Sequence, residues 1–273
     1  IEGNTISNRS VIAAFGISNV EKCKLNLVYE MFSNHIAPAM LPTNSLMGFI
    51  KRNLRDRKND KMKKFILHFL KASDFNISDI SIHDEEIKIN SDMEAFIRNA
   101  PSMSDKEKNE IIQKGIIKKD ELFFTHHTTN GDIELDEELE SMGTKRYMGL
   151  ATILYDLLAR GVFLPIDEIE TSIHYELLSY FIRVFLVNSK KHSQLIMTTH
   201  DINLLDENYI RRDTIWFTDK NDCGETQLLR LSSLGLHKTI SVYNAYKQEK
   251  LVDLPFTESI YIDKDLYDEE SEN

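Results

Sequence analysis

Cysteine and long apolar runs are both scarce in this sequence of 273 residues. The two cysteines, Cys23 and Cys223, lie far apart and match no zinc-binding spacing. We interpret them as free thiols of a reducing compartment and predict a cytoplasmic protein. No apolar run reaches the roughly 18 residues that a membrane-spanning helix needs, so the sequence predicts no membrane contact.

Positive charge is also in deficit, with 33 Lys and Arg against 44 Asp and Glu and a net charge of −11. This excludes a protein that holds nucleic acid by bulk charge, and any such contact needs a local basic patch. Residues 51–64 supply one, with eight basic and two acidic residues and a local charge of +6. Two interpretations stay open: a solvated helix face, or a surface that contacts DNA or an acidic protein partner.

The chain divides into regions of different character. Residues 1–120 are polar and predict helices, among them Lys24–Met31, Lys61–Ala72 and Met103–Asp120, the last with a Ser104/Glu107 capping pair. We interpret this region as a mostly helical arm or lid that extends from residues 121–250. Residues 251–273 form a C-terminal tail that ends in an acidic run, Asp265 to Glu272.

Residues 121–250 alternate strands with helices. A hairpin turn at Thr129–Asp132 and a helix with Tyr147, Leu150, Leu154, Leu157 and Leu158 on one stripe, ended by Gly161, come first. The strands of that hairpin are predicted at Leu122–Thr125 and Ile133–Leu135. After the helix, the predicted strands are Val162–Ile166, Leu195–Thr198, Thr214–Thr218 and Gln227–Leu231. A second helix is predicted at His174–Val187, between the first two of these. This order predicts an α/β sheet with a site at its carboxyl edge.

The first chemical motif is the apolar strand that ends in Asp167-Glu168. P-loop ATPases use such a strand to place two carboxylates beside a nucleotide, one for Mg²⁺ and one for the attacking water. The alternative is a strand that ends in two acids for solubility.

The second motif is the strand that ends in Thr198-Thr199-His200. A histidine there fits a switch that reaches a γ-phosphate, although a lone histidine after a strand is commonly a structural cap. Glu168 and His200 are 32 positions apart, about one strand–helix–strand unit. We therefore expect the two motifs on adjacent strands.

The third motif, Glu140 to Arg146, directly precedes the helix that leads to the Asp-Glu strand. Ser141 and Gly143 at a helix N-terminus offer a hydroxyl and backbone amides to an anion. A plain N-cap at Ser141 or Thr144 is the alternative. The order of the three motifs favours a nucleotide site.

In this order the motifs resemble the second half of an ABC-type ATPase head, as in SMC proteins and DNA-repair ATPases. They are more similar still to the RloA/AbiL-like bacterial ATPases, which are AAA-type proteins of abortive infection. The resemblance covers roughly residues 121–250, through the stretches Leu122–Phe124 with His126-His127, Glu140–Thr144, Ile166–His174, Thr198–Leu205 and Arg211–Phe217.

The resemblance implies the C-terminal lobe of a P-loop NTPase fold and a role for each motif. Ser141, Gly143 and Thr144 would contact ATP across a dimer interface. Asp167 would hold Mg²⁺, Glu168 would be the general base and His200 the γ-phosphate switch. It further implies an ATP-driven dimerising switch in anti-phage defence that controls an effector protein.

The sequence departs from that family at three positions and lacks one motif. Met142 replaces a small or acidic residue, Pro165 interrupts the strand, and Tyr175 replaces a proline. None of the ten glycines begins a Walker A loop, G-x-x-x-x-G-K-[ST]. Either that loop lies upstream of these residues, as the start at Ile1 and the intact Glu168 and His200 favour, or the ATPase is degenerate. The second function class is therefore a scaffold that binds nucleotide poorly and assembles partner proteins or DNA.

Overall fold

The structure, a computed structural model, describes residues 24–255 and 260–261, apart from 35, 38, 41–44, 56–59, 101–102, 190–191 and 222. Cys23, two basic residues of the patch (Arg57 and Lys58) and the acidic tail lie outside the described residues. Backbone contacts divide the chain into two compact units, Ile1–His200 and Asp201–Asn273. The predicted boundaries at residues 120 and 250 stay a prediction.

Seven helices lie in the described part of the first unit. The predicted helices near residues 24, 61, 142 and 174 are confirmed, and the capping pair is present because Ser104 Oγ accepts from the Glu107 amide while Glu107 accepts from the Ser104 amide. The helices are α1 Lys24–Asn34, α2 Ser45–Arg55, α3 Asp60–Ala72, α4 Ser91–Asn99, α5 Asp105–Lys114, α6 Met142–Arg160 and α7 Tyr175–Asn188.

The prediction that residues 1–120 are mostly helical is wrong in part, because this region contributes to an antiparallel sheet of three strands. Its strands are β1 Ile77–Lys88, β2 Ile116–Thr128 and β3 Gly131–Asp136, in the order β1-β2-β3. The predicted helix over Met103–Asp120 is wrong from residue 115 onwards. Gly115 has φ 64°, a left-handed conformation that ends α5, and the chain enters β2 directly after it. The predicted hairpin is confirmed, since β2 and β3 pair up to Thr128 and Gly131.

Helix α6 forms the centre of the first unit. Its side chains from Tyr147 to Leu154 are buried, so the helix has no solvated face over two turns. The Tyr147 ring stacks on Phe69 of α3 at 5.1 Å between ring centres, and its hydroxyl lies 2.8 Å from Ser73 Oγ. Burial raises the pKa of Tyr147 well above its ordinary range. The packing holds α6, and with it the third motif, rigidly against α3 and α7.

Two parallel strands, β4 Phe163–Ile166 and β5 Gln194–Met197, lie on either side of α7 in the sequence and pair with each other. On the other side of β4, Ile36 and Met40 form isolated parallel bridges to Phe163 and Ile166. The two bridges are four residues apart in the segment Ile36 to Met40 but three residues apart in β4, so the pairing on this side of β4 is irregular. Pro165 faces this side, where its carbonyl accepts from the Met40 amide at 3.0 Å. The missing N–H of proline is thus tolerated away from β5.

The second unit contains the hairpin β6 Trp216–Lys220 and β7 Thr226–Arg230, and the short helix α8 Val242–Lys247. Thr214 lies in a 3-10 turn rather than in the predicted strand. The Asp206 carboxylate accepts from the Val242 amide at 2.7 Å and from the Ser241 hydroxyl, which ties α8 to the turn Ile202–Asp206. The apolar core beneath consists of Phe217, Leu231, Val242, Ala245, Leu251 and Val252.

Among the described residues, no helix combines the length and the apolar character that crossing a bilayer requires.

Candidate functional site

The first two motifs meet at the carboxyl edge of the β4–β5 pair. Ile166 and Met197 are register partners, so Asp167 and Thr198 each follow directly. Thr198 holds this edge together: its hydroxyl donates to Asp167 Oδ1 and accepts from the Glu168 amide at 2.9 Å. The expectation that the Asp-Glu and histidine motifs lie on adjacent strands is confirmed.

Glu168 has an unusual backbone conformation for its residue type. Its φ is 44°, in the left-handed region, where a residue with a Cβ costs about 1–3 kcal/mol. The amide bond to Thr198 and the Thr171 amide donating to the Glu168 carbonyl at 3.1 Å hold that conformation. Its carboxylate is exposed at the sheet edge, with Thr171 Oγ1 3.4 Å from Oε2. The strain therefore turns the Glu168 side chain out of the strand direction, toward solvent.

His200 is exposed, and its main chain is fixed by Glu170, which follows Glu168 by two positions. The His200 amide donates to Glu170 Oε1 at 2.7 Å. This bond joins the loop after β4 to the end of β5. No sequence motif assigned a function to Glu170.

Arg146 provides the positive charge that faces Glu170. Its side chain is buried in the second turn of α6, where only 6% of the residue is exposed. Burial lowers the pKa of the Arg146 guanidinium, and the negative charge of Glu170 partly offsets that shift.

The third motif is the N-terminus of α6, and Ser141 is its N-cap. Ser141 Oγ accepts from the Thr144 amide at 3.0 Å and lies 2.8 Å from Thr144 Oγ1. Thr144 is buried, whereas Ser141 is exposed. The capping interpretation is thus confirmed for Ser141, whose own amide donates to the Glu140 carboxylate at 3.3 Å. Anion binding at this N-terminus stays a prediction.

Gly143 lies against the loop between β4 and α7. A Cβ at this position would stand 3.1 Å from the Ser172 carbonyl oxygen, closer than most side chains approach. Ser172 has a left-handed backbone, with φ 61°. This close contact explains why position 143 is a glycine. It also brings the third motif next to the loop that carries Asp167-Glu168.

Residues 32–206 match the family model described as "AAA domain, putative AbiEii toxin, Type IV TA system". The chain belongs to this AAA domain family. No curated protein matches the chain.

AAA domains of the P-loop class use ATP and Mg²⁺, and this chain combines α-helices and strands as that fold requires. The residues at the sheet edge fit the metal. Asp167 is an exposed carboxylate with Oδ1 oriented by Thr198, as a hydrated magnesium ion requires. Among the described residues no cluster of three His, Cys, Asp or Glu side chains forms a metal centre of its own.

Sequence analysis gave no role to three residues that the structure places around these motifs: Thr198, Glu170 and Arg146. Thr198 could have been found from its place directly after an apolar strand, opposite the Asp-Glu pair. In the sequence, Glu170 is only a third acid after Asp167-Glu168, and Arg146 is only a charged residue of a predicted helix. These signals are too common to assign a function.

Proposed function

We propose that this AAA domain is the C-terminal lobe of an ABC/SMC-like ATPase related to the RloA/AbiL-like proteins. It binds and hydrolyses ATP, and acts as a nucleotide-driven dimerising switch. The observation that carries the proposal is the β4–β5 pair, which brings Asp167-Glu168 beside Thr198–His200 at one sheet edge. The match to an AAA family supports the general class.

Each residue at this edge has one proposed task. Asp167 holds magnesium, which when bound neutralises charge on the phosphates. Glu168 accepts the proton of the attacking water, and its strained, solvent-facing position suits a base that must reach a nucleotide. His200 donates a hydrogen bond to the γ-phosphate. Thr198 keeps the two strand ends in register.

The α6 N-terminus is proposed to bind the nucleotide of a second copy. Ser141 and Gly143 offer a hydroxyl and amides there, and Thr144 orients the Ser141 hydroxyl. Leu139 and Met142 flank Ser141 and are 73% and 54% exposed, as apolar residues of an unformed dimer interface would be. Met142 in place of a small residue thus adds apolar contact area.

The cellular role is proposed from the family alone. The family description names a putative AbiEii toxin of a type IV toxin–antitoxin system, which supports a role in abortive infection. Anti-phage defence and the control of an effector protein are proposed from the resemblance. We place the protein in the cytoplasm, where free thiols persist.

The test is ATP turnover and ATP-dependent dimerisation of the full-length gene product, because these 273 residues contain no G-x-x-x-x-G-K-[ST] sequence. The proposal expects magnesium-dependent hydrolysis and a dimer by light scattering only with ATP. Nucleotide-independent assembly without turnover would instead support the scaffold function.

Replacement of Thr198 by valine should lower turnover about tenfold in the full-length protein. Valine keeps the shape but removes the hydroxyl that orients Asp167 and accepts from the Glu168 amide. Thr198→Ser keeps the hydroxyl and is the matched control, with turnover near that of the parent. Equal turnover of the valine and serine variants would refute a role for the hydroxyl. The melting temperatures of both variants check that the fold is intact.

The basic patch, residues 51–64, is proposed as a docking surface for DNA or an effector protein, with fewer available charges than the sequence indicated. Lys51 pairs with Glu137 at 2.5 Å, Arg55 with Asp120 at 2.9 Å and Lys63 with Asp79 at 2.7 Å. These pairs join the patch to the antiparallel sheet and its following turn. Arg52, Lys61 and Lys64 are exposed and are the better probes of external binding.

The triple variant Arg52→Gln, Lys61→Gln, Lys64→Gln should bind a DNA duplex more weakly, with a salt slope smaller by about 2–3. Lys71→Gln, an exposed cation in the last turn of α3, is the control and should keep the slope. Affinity across a salt series measures both. If the triple variant keeps the parent slope, the patch is a solvated face.

A further inference from the structure

The two carboxylate oxygens of Glu170 have different surroundings. Oε1 accepts the His200 amide at 2.7 Å, and Oε2 is buried without a hydrogen bond from the described residues. A carboxylate so placed costs free energy unless a positive charge is near. Its geometry therefore requires an explanation beyond loop structure.

Arg146 supplies that positive charge from α6. The charge of Glu170 acts on its buried guanidinium, as the opposing contributions to the pKa of Arg146 show. Arg146 follows the N-cap Ser141 by five positions, so both belong to the first two turns of one rigid helix.

The loop that carries Glu170 is tightly constrained. The Ile173 amide donates to the Glu170 carbonyl at 2.8 Å, and the Ser172 carbonyl lies against Gly143. A shift of the α6 N-terminus must therefore displace this loop or break the contact. The Glu170 carboxylate passes such a displacement to the main chain of His200.

We propose that Glu170 is a positioning residue for ATP hydrolysis: it fixes the main chain of His200 and aligns it with the α6 N-terminus through the loop that lies against Gly143. The inference rests on the proposed function. Glu170 touches no reacting atom. Glu170 sets the position of the His200 imidazole. That position then depends on the α6 N-terminus, which is proposed to bind the nucleotide of a second copy.

The test is a double-mutant cycle on turnover in the full-length protein. Glu170→Ala should lower kcat about tenfold in the parent, with KM within about twofold. In a His200→Ala background the same change should have no further effect, because no imidazole remains to be positioned. Glu170→Gln keeps an oxygen acceptor for the His200 amide and should recover most of kcat.

A purely structural role would lower kcat by the same factor in both backgrounds, which would overturn the inference. Glu176→Ala is the matched control: this exposed glutamate lies in the first turn of α7, and its loss should leave kcat unchanged.

Hydrogen exchange of the His200 amide tests the inference without relying on turnover. Glu170→Ala should accelerate that exchange at least tenfold, and Glu170→Gln should leave it near the parent rate. Unchanged exchange in Glu170→Ala would overturn the inference. Absence of ATP turnover in the parent protein would overturn the proposed function instead, and the exchange rates would then decide the positioning role alone.

Discussion

Glu168→Gln in the full-length protein should lower ATP turnover by at least about 100-fold while ATP binding persists. The amide keeps the size and the backbone contacts of the carboxylate but cannot accept the proton of the attacking water. The Glu168 amide bond to Thr198 is a main-chain bond and survives the change. Since hydrolysis would release the dimer, the variant should accumulate as an ATP-bound dimer in light scattering.

Glu176→Gln is the matched control for this prediction. It makes the same chemical change at an exposed glutamate in the first turn of α7 that has no task in the proposed mechanism, and it should turn over ATP like the parent. Undiminished turnover in Glu168→Gln would remove this residue from the base role. A loss of ATP binding in the same variant would indicate a disturbed site rather than a missing base.

The sequence predicted those parts of the fold that depend on local patterns. The apolar stripe of α6 and the short apolar strands β4 and β5 were found because helical and strand periodicities are visible within a window of a few residues. The adjacency of Asp167-Glu168 and Thr198–His200 followed from the single helix between them. The ATP and magnesium assignments came from the resemblance, and the AAA family supports them at that general level.

Strand β1 and the start of β2 were missed because their stability comes from pairing between distant residues. β1 contains Asp84, Glu85 and Glu86 in succession, and such residues are unfavourable in isolated strands. Its partner supplies Lys118 and Lys119 opposite Glu86 and Glu85. A cross-strand register of this kind is invisible to local periodicity.

The role proposed for Glu170 could not be predicted from the sequence for a similar reason. A third acid after Asp167-Glu168 indicates only a polar loop. Its significance comes from two distant groups, the His200 amide and the Arg146 guanidinium.

Gly143→Asp should abolish ATP-dependent dimerisation without unfolding the protein. The N-terminus of α6 is proposed to face a phosphate of the second copy, and an added carboxylate would repel it. Acidic residues in the first turn stabilise a helix, so the fold has no electrostatic reason to fail. Light scattering with and without ATP measures the dimer, and the melting temperature checks folding.

The contact with Ser172 makes Gly143→Ala the necessary control. Any Cβ at this position stands 3.1 Å from the Ser172 carbonyl, so alanine tests packing without charge. A few tenths of an ångström of movement in the loop should accommodate it, and the alanine variant should still dimerise with ATP. If alanine and aspartate abolish the dimer equally, the glycine serves the contact between α6 and the loop. If the aspartate variant dimerises normally, Ser141 and Gly143 form a helix cap and the nucleotide of the second copy binds elsewhere.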